Sequence, residues 1–296
     1  MLMKPLKVLL FFNNTRGLKV LNFLRKKKDI NIENIYLSKK NLSTKIVNNL
    51  KLRKLKFEII NFNDLNSLKK IIFKKKIDLN LLCGFPYILE EKLFNKPKYG
   101  TLNLHAGPLP QYRGGSPLNW QIINAEKKIG LSVIKVNKKI DGGPLVSKYF
   151  FKLKKNYDIK KVHEISNEIF PGLLYKSIKK IITKKPFLKT NNKKSMYFPQ
   201  RTENDGQIDW KNKNSKKIYD FVRALSKPYP GAFTLNKYGK KIYIYKCSIA
   251  KIKTKDMELG QVIKVKENYY VKTKKNFIKI LSFKGSLKNM ELLQVN

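Results

Sequence analysis

The sequence predicts an α/β chain in which a doubly wound, mostly parallel sheet precedes a smaller β-rich C-terminal domain. Short apolar runs alternate with segments of helical apolar spacing through the first half of the chain. Strand-like runs separated by turn residues fill the last third. The 296 residues, 42% of them hydrophobic, suffice for a large domain and a smaller one with separate cores.

The N-terminal half alternates predicted strands and helices. The apolar run 6–12 predicts the first strand, a polar turn covers 13–17, and helical spacing begins at Leu18. The pattern repeats with strands at 32–37, 57–62 and 79–85 and with helices at 42–52 and 65–73. Because each parallel strand needs a crossover helix to return the chain, this order predicts a Rossmann-like sheet.

The middle of the chain adds a loop rich in glycine and proline. A short strand at 101–106 runs into the loop 107–115, and Ser116 followed by Pro117 predicts the N-cap and first turn of a helix ending at Ala125. A further strand at 131–136 and a long amphipathic helix at 157–182 follow.

The last third has the pattern of a small antiparallel barrel. A helix at 215–225 precedes strand-like runs at 232–235, 241–245, 261–265, 269–273 and 277–283. The predicted organisation is therefore a Rossmann-like catalytic domain over 1–189, a polar linker over 190–212 and an OB-like domain over 213–296.

Composition excludes some classes of protein. The net charge of +45 would suit a polyanionic partner, but lysines are scattered through every segment, as an AT-biased coding sequence would produce. The two cysteines, Cys83 and Cys247, lack metal-ligand spacing and predict neither a disulfide framework nor a metal site. No apolar stretch suits a signal peptide or a membrane span, so we expect a cytoplasmic protein without a membrane partner.

Polar residues near the middle of the chain indicate a catalytic site. Alternate residues of a strand point the same way, so Asn103 and His105 would face one cleft at the sheet edge where ligands bind. The loop 107–115 combines rigid prolines with permissive glycines, which suits close backbone approach to a ligand. Asp141 follows the strand 131–136, which would return the chain to the same edge. A plain hydrogen-bonded histidine at a strand end is the alternative interpretation of His105.

These motifs resemble the signature of the 10-formyltetrahydrofolate-dependent formyltransferases. The matching segments are Asn103-Leu104-His105, Leu109-Pro110-Gln111-Tyr112-Arg113-Gly114, Pro117, Asp141-Gly142-Gly143, 201–210, Arg223-Ala224 and 228–233. The resemblance covers nearly the whole chain and joins two separated catalytic parts, which makes it more specific than one short motif. Gly107 stands where many members carry Ser and Gly142 where many carry Thr, which puts the acceptor in question rather than the chemistry.

The resemblance implies roles that fit the chemistry of amine formylation. Asn103 would donate a hydrogen bond to the tetrahedral oxyanion, His105 would take the amine proton or share in oxyanion stabilisation, and Asp141 would orient the imidazole. The donor, 10-formyltetrahydrofolate, would lie against Leu82, Cys83, Gly84, Phe85, Pro86, Asn137 and Ile140. The acceptor would contact Gly107, Pro108, Leu109, Tyr112, Arg113, Arg201 and Arg223, and no metal is required.

Two acceptors compete. The tRNA-formylating branch of the family usually has a Gly-Thr-Pro first turn and a long basic insertion after the second strand, whereas this chain has Asn13-Asn14-Thr15-Arg16-Gly17 and only Ser38-Lys39-Lys40-Asn41. We therefore expect a nucleotide-linked amino sugar, used for lipopolysaccharide or surface glycan synthesis. Initiator methionyl-tRNA is the alternative, favoured by charge and by the barrel-like domain.

Further expectations concern the second half of the chain. Arg201 and Arg223 could hold a diphosphate and Tyr197 or Tyr229 could stack on a base, although Arg223 could equally pair with Asp209 or another carboxylate. A homodimer through the second domain is expected from the family alone. A non-catalytic RNA-binding protein on the same fold is a third interpretation, which would require the catalytic trio to be incidental.

Overall fold

The chain forms two compact units that are interleaved in sequence. The computed structural model describes residues 4–61, 76–236, 238–253 and 257–285 and the backbone of 292–293. Unit 1 comprises Met1–Gly114, Gly130–Phe150 and Glu164–Tyr197, and unit 2 comprises Gly115–Ile129, Phe151–His163 and Phe198–Asn296. The contiguous boundaries expected from the sequence, after 189 and 212, stay a prediction.

The strands form a large mixed sheet, a smaller antiparallel sheet and one short pair. The large sheet contains β1 (Leu6–Phe11), β2 (Ile30–Ser38), β3 (Glu58–Ile60), β4 (Leu79–Leu82) and β5 (Thr101–His105), and, after the short β6 (Arg113–Gly114), β7 (Lys128–Lys135) and β8 (Leu145–Lys152). Its order is β3-β2-β1-β4-β5-β7-β8, and β6 pairs with β9 (Tyr197–Phe198). The predicted α/β class is confirmed.

The helices follow the predicted alternation. They are α1 (Thr15–Leu24), α2 (Thr44–Leu52), α3 (Glu91–Phe94), α4 (Pro117–Ile123), α5 (Ile159–Ile182) and α6 (Ser215–Leu225), with single 3₁₀ turns at Asn192–Lys194 and Asn204–Gly206. The helix predicted at 65–73 lies outside the described residues. None of the helices in the described ranges combines the length and the apolar composition that crossing a bilayer requires.

Burial explains why the centre of the large sheet is so apolar. β1 pairs in parallel with β2 and with β4, and β4 pairs in parallel with β5. Val8 to Phe12 are completely buried, because a parallel strand in the middle of such a sheet is covered on both faces. Asn13 then ties the ends of β1 and β2 together, since its side chain both donates to and accepts from the backbone of Ser38.

The sheet changes direction next to β5. β7 runs antiparallel to β5 and pairs Asn103 with Ile134 and His105 with Ser132. β8 was not predicted from the sequence, and it forms the edge of the sheet beyond β7. The C-terminal half of β8 exposes large side chains such as Tyr149 and Phe150. The strand therefore lacks a regular alternation of buried apolar and exposed polar residues.

Unit 2 carries the predicted C-terminal β structure. Its sheet has the order β12-β13-β14-β11-β10-β15, formed by β10 (Ala232–Asn236), β11 (Lys241–Ala250), β12 (Val262–Val265), β13 (Asn268–Lys272), β14 (Phe277–Lys284) and β15 (Leu292–Leu293). The pairings are antiparallel and make a half-barrel. Ile218, Phe221 and Val222 of α6 are buried in the same core as Ile244 and Ile278 of this sheet.

Ser116 and Pro117 stand at the N-cap and in the first turn of α4, as predicted, but the capping hydrogen bond is not made. Ser116 does not cap α4 with its side chain, because its backbone is left-handed, with φ of 49°, and its hydroxyl makes no bond to the helix. The hydroxyl instead accepts hydrogen bonds from Gln200 Nε2 at 2.9 Å and from the Arg201 backbone N–H at 3.2 Å. A better partner elsewhere in unit 2 therefore replaces the local cap.

Candidate active site

The end of β5 and the segment after β7 bring an imidazole and a carboxylate together. His105 is the last residue of β5, and its side chain is buried. Its Nδ1 lies 3.4 Å from Asp141 Oδ2, although 36 residues separate the two in sequence (141 − 105). On the other side of the ring, Nε2 lies 2.6 Å from the main-chain oxygen of Tyr112.

The backbone holds Asp141 in an unusual conformation. Its φ is 48°, a left-handed value that Asp tolerates better than most residues. The Gly114 backbone N–H donates to Asp141 Oδ2 at 3.0 Å. Two residues later Gly143 passes so close to β7 that a Cβ there would lie 1.9 Å from the Lys135 oxygen, so only glycine fits.

Opposing influences set the charge state of Asp141. Burial alone would raise the pKa of its carboxyl group, but hydrogen bonding and charge from His105, the Gly114 N–H and the Arg113 guanidinium outweigh burial and lower the pKa. The carboxylate is therefore ionised at neutral pH. An ionised carboxylate beside Nδ1 favours a hydrogen on that nitrogen.

A cavity of about 400 Å³ in unit 1 opens beside this pair. Asn103 and Asp141 both line it, together with the apolar side chains of Leu82 at the end of β4, Ile134 of β7 and Val136 just after β7. The size lies within the range of small-molecule sites, and a mostly apolar wall with a few polar groups is their usual composition. Such walls suit a flat heteroaromatic ring.

Most of the residues expected to bind the folate lie at this cavity. Leu82, Phe85, Pro86, Asn137 and Ile140 line it. Cys83 is fully buried and is not part of the lining, and Gly84 follows it with a left-handed φ of 78°. The binding roles of these residues stay a prediction.

The loop residues expected to contact the acceptor are mainly buried. Ser132 of β7 pins the loop, because its hydroxyl donates to the Gly107 oxygen at 2.7 Å and accepts from the Leu109 N–H at 3.1 Å. Pro108 and Tyr112 are buried as well. These contacts give the loop a fixed shape beside His105, and acceptor contacts at its residues stay a prediction.

The three arginines expected at the acceptor site all have partners. Arg113 Nε donates to the Ile140 oxygen at 3.0 Å, which fixes the residue before Asp141. Arg223 forms a buried ion pair with Asp220 at 2.7 Å, so its partner is a carboxylate, as one expectation had it, although not that of Asp209. In unit 2 the Arg201 guanidinium lies 4.7 Å from the Trp120 ring centroid, and its burial lowers its pKa.

Two contributions to the site carry no sequence signal. The Tyr112 oxygen and the Gly114 N–H are main-chain groups, so no side-chain type could reveal their contacts with His105 and Asp141. Phe94 and Leu89 also line the cavity, but their apolar side chains are those of any core residue. Within the described ranges, no group of three or more His, Cys, Asp or Glu residues could hold a metal ion.

Family models match most of the chain. The formyl transferase model matches residues 33–172, and the model of the formyl transferase C-terminal domain matches residues 201–294. The first range contains Asn103, His105 and Asp141, and the second contains the half-barrel sheet.

Individual relatives point to the same family. The bifunctional polymyxin resistance protein ArnA of Wigglesworthia glossinidia brevipalpis is 37% identical over 213 residues, which are 68% of this chain and 31% of that protein. The methionyl-tRNA formyltransferase of Clostridium beijerinckii is 32% identical over 212 residues, 72% of this chain and 68% of that protein. The chain thus spans less than a third of the first relative and about two thirds of the second.

A solved structure shares the fold. The N-formyltransferase of Helicobacter canadensis, in complex with folinic acid and dTDP-3-aminofucose, matches with a TM-score of 0.71 at 19% identity, covering 95% of this chain and all of that one. At this identity the match shows the fold alone. The sequence matches over both halves place the chain in the formyl transferase family of enzymes.

Proposed function

We propose that this chain transfers a formyl group from 10-formyltetrahydrofolate to the amine of a nucleotide-linked amino sugar. The observation that carries the formyl-transfer part is the His105–Asp141 pair, 3.4 Å apart, beside a cavity that Asn103 lines. Amine formylation needs a proton acceptor and a donor for the oxyanion, and these side chains supply both.

The chemistry assigns a distinct task to each side chain. The Asn103 carboxamide donates a hydrogen bond to the oxyanion that forms when the amine attacks, a contribution of about 3 to 4 kcal/mol in comparable sites. The His105–Asp141 pair takes the proton that the amine loses. Because Asp141 is already ionised, it stabilises the imidazolium that results.

The short connection after β2 supports a sugar acceptor. Residues 39–43 are the whole link between Ser38 at the end of β2 and Thr44 at the start of α2, which leaves no room for the long basic insertion of the tRNA branch. The Helicobacter canadensis enzyme, which has the same fold, was solved with an amino sugar on a nucleotide. The folate would lie in the cavity, where apolar walls face Asn103.

Methionyl-tRNA is the second candidate acceptor. Several relatives near 30% identity are methionyl-tRNA formyltransferases, and the net charge of +45 favours a polyanion. Both observations are weaker than the missing insertion, because family membership is shared by the two branches and the lysines are spread along the whole chain.

A parallel acceptor assay tests the proposal. The purified chain is given 10-formyltetrahydrofolate and, in parallel reactions, a panel of nucleotide-linked amino sugars or charged initiator tRNA, and formylated product is identified by mass. We expect product with at least one sugar. Formylation of the tRNA alone would overturn the sugar assignment and leave formyl transfer intact, and no product with any amine would overturn both.

Variants at Asn103 and His105 test the roles of these side chains. Asn103→Ala and His105→Ala should each lower kcat at least about a hundredfold with folding intact. The only other histidine, His163, contacts the Tyr229 hydroxyl in unit 2, so His163→Ala is the matched control and should keep kcat. A folded His105→Ala variant with near-normal turnover would contradict the assignment.

Three expectations remain part of this proposal. Substrates of this kind are made inside the cell, so we place the protein in the cytoplasm. The contiguous domains 1–189 and 213–296, joined by the linker 190–212, and a homodimer through the second domain complete it. Sedimentation of the purified chain tests the dimer, and a monomer at assay concentration would remove it.

A further inference from the structure

The side chain of Arg113 grips the peptide group next to the catalytic carboxylate. Its Nε donates to the Ile140 main-chain oxygen at 3.0 Å, and its Nη2 donates to the same oxygen. That oxygen belongs to the peptide group that joins Ile140 to Asp141. An arginine can hold one oxygen with two donors because its guanidinium is planar and rigid, whereas a lysine ammonium is a single charge on a flexible stem.

The peptide group needs such a grip because the backbone of Asp141 is left-handed. Its φ of 48° is a conformation that residues with a Cβ keep only where their surroundings impose it. A turn of this peptide group toward a more usual φ would move the carboxylate away from His105 Nδ1, which lies 3.4 Å from Oδ2, and from the Gly114 N–H at 3.0 Å. The Ile140 contact therefore fixes the direction in which the carboxylate points.

A segment far along the chain holds Arg113 in turn. Arg113 Nη1 donates to the Ser195 hydroxyl oxygen at 3.3 Å, and the Arg113 backbone N–H donates to the Met196 oxygen at 2.9 Å. The Met196 N–H donates to the Pro110 oxygen at 3.4 Å, so its backbone contacts the loop at two places. Both residues fall in the linker predicted from the sequence, yet in unit 1 they support the loop beside His105.

The charge of Arg113 acts on the same carboxylate. Burial would raise the pKa of the Asp141 carboxyl group, and His105, the Gly114 N–H and the Arg113 charge together lower it. Of these lowering influences Arg113 is the smallest. Its main contribution is therefore the position of the carboxylate, and its charge is a secondary one.

We propose that Arg113 is a positioning residue that sets Asp141 against His105, that Ser195 and Met196 hold it in place, and that it does not bind the acceptor. All three guanidinium nitrogens have partners within unit 1, so a fork from Arg113 to a phosphate of the acceptor would release the Ile140 oxygen. This inference rests on the proposed formyl transfer, in which the His105–Asp141 pair takes the amine proton.

Two substitutions separate the fork from the charge. Arg113→Lys keeps the charge and loses the fork, and it should lower kcat about tenfold or more while KM for the nucleotide-linked amino sugar stays within about threefold. Arg113→Gln loses both and should lower kcat at least as much. Arg25 of the same unit is exposed, so Arg25→Gln is the matched control and should change neither constant. An arginine that binds the acceptor would instead raise KM for the sugar.

Ser195→Ala is a milder test of the same support. It removes the hydroxyl that holds Nη1 but leaves the Arg113 charge and the Ile140 contact in place, so kcat should fall about threefold with KM for the sugar unchanged. This variant keeps the proposal open to contradiction if neither Arg113 variant folds, because an unaltered kcat in Ser195→Ala would then overturn it.

Carboxyl ¹³C NMR of the purified chain follows the Asp141 pKa without any acceptor. Asp141→Asn assigns the signal. Arg113→Gln should raise the Asp141 pKa, because a positive charge beside the carboxylate is lost, and Arg113→Lys should raise it less. An arginine that only stabilises the loop at a distance would leave this pKa unchanged in both variants.

The outcomes distinguish this proposal from the proposed function. A folded Arg113→Lys protein with wild-type kcat and a raised KM for the sugar would overturn the positioning role and restore the acceptor contact. If the wild-type protein formylates no amine while the Asp141 pKa rises in Arg113→Gln, the proposed function fails and the placement of Asp141 by Arg113 stands.

Discussion

At the scale of single residues, Asp141 makes a pH-dependent contribution to stability. Its pKa is lowered in the folded protein, so the carboxylate stabilises the fold above the usual aspartate pKa of about 4, and this stabilisation is lost as the pH falls through the lowered value. Asn tolerates left-handed backbone about as well as Asp, so Asp141→Asn removes the charge without disturbing the loop. We expect a cost of about 1 kcal/mol.

Urea unfolding of both proteins at two pH values measures this contribution. At about pH 6 the variant should be the less stable, and at about pH 3 the difference should shrink. If the stability difference between the two proteins instead grows on acidification, the folded protein favours the protonated Asp141 carboxyl group over the ionised carboxylate.

The two cysteines give a second prediction at this scale. Burial raises the pKa of the Cys83 thiol far above its usual range and, with the nearby Asp220 charge, raises that of Cys247 to about 12. Because the thiolate is the reactive form, an aromatic disulfide reagent should modify the native protein at least about a hundredfold more slowly than the urea-unfolded chain. A thiol that reacts in the native state at the unfolded rate would contradict the described burial.

How far the site could be predicted depends on which atoms form it. Asn103, His105 and Asp141 could be named from the sequence because their side chains carry the chemistry. The Tyr112 carbonyl could not, because its position depends on a left-handed φ at Tyr112. Main-chain contacts of this kind require the folded backbone.

At the scale of elements, one buried amide joins two helices of unit 2. Asn119 of α4 donates from Nδ2 to the Ala224 oxygen of α6 at 2.8 Å, and its side chain is buried. Asn119→Ala leaves that carbonyl buried without its partner, which should lower the free energy of unfolding by about 1 to 3 kcal/mol. The exposed Asn212 of the same unit provides the control, because Asn212→Ala should change stability little.

Calorimetric unfolding of the two variants measures the difference. Equal stability of Asn119→Ala and the wild type would mean that water replaces the amide and that the carbonyl is not sealed from solvent. A loss in both variants would instead indicate that any substitution in this unit is destabilising.

Elements with a strong apolar pattern were predicted well, and the others were not. β1, α1, β2 and α6 were recognised because their buried faces follow the periods of a strand or a helix. β8 was missed because an edge strand buries only part of its length. The antiparallel direction of β7 could not be predicted either, since direction depends on the path of the chain between 107 and 127 and not on the strand itself.

At the scale of the whole molecule, the net charge of +45 says little about the fold, but it affects which formyl acceptor the protein attracts. The 65 Lys and Arg residues occur in both units and in nearly every connection. A charge spread in this way attracts anions in general and is screened by salt within about 10 Å at 0.1 M. The way in which acceptor binding responds to salt therefore distinguishes a small dianionic acceptor from a polyanion.

The salt dependence of KM is the corresponding prediction. A nucleotide-linked sugar carries two phosphate groups, so raising the salt from about 50 to 200 mM should increase its KM by no more than about tenfold. An RNA held through six or more phosphate contacts would lose about a thousandfold or more over the same range. Initial rates with each acceptor, and with kcat fitted separately, give the slope. A steep slope for the acceptor with the higher kcat/KM would mean that the lysines form a polyanion-binding surface, and it would favour methionyl-tRNA over the sugar.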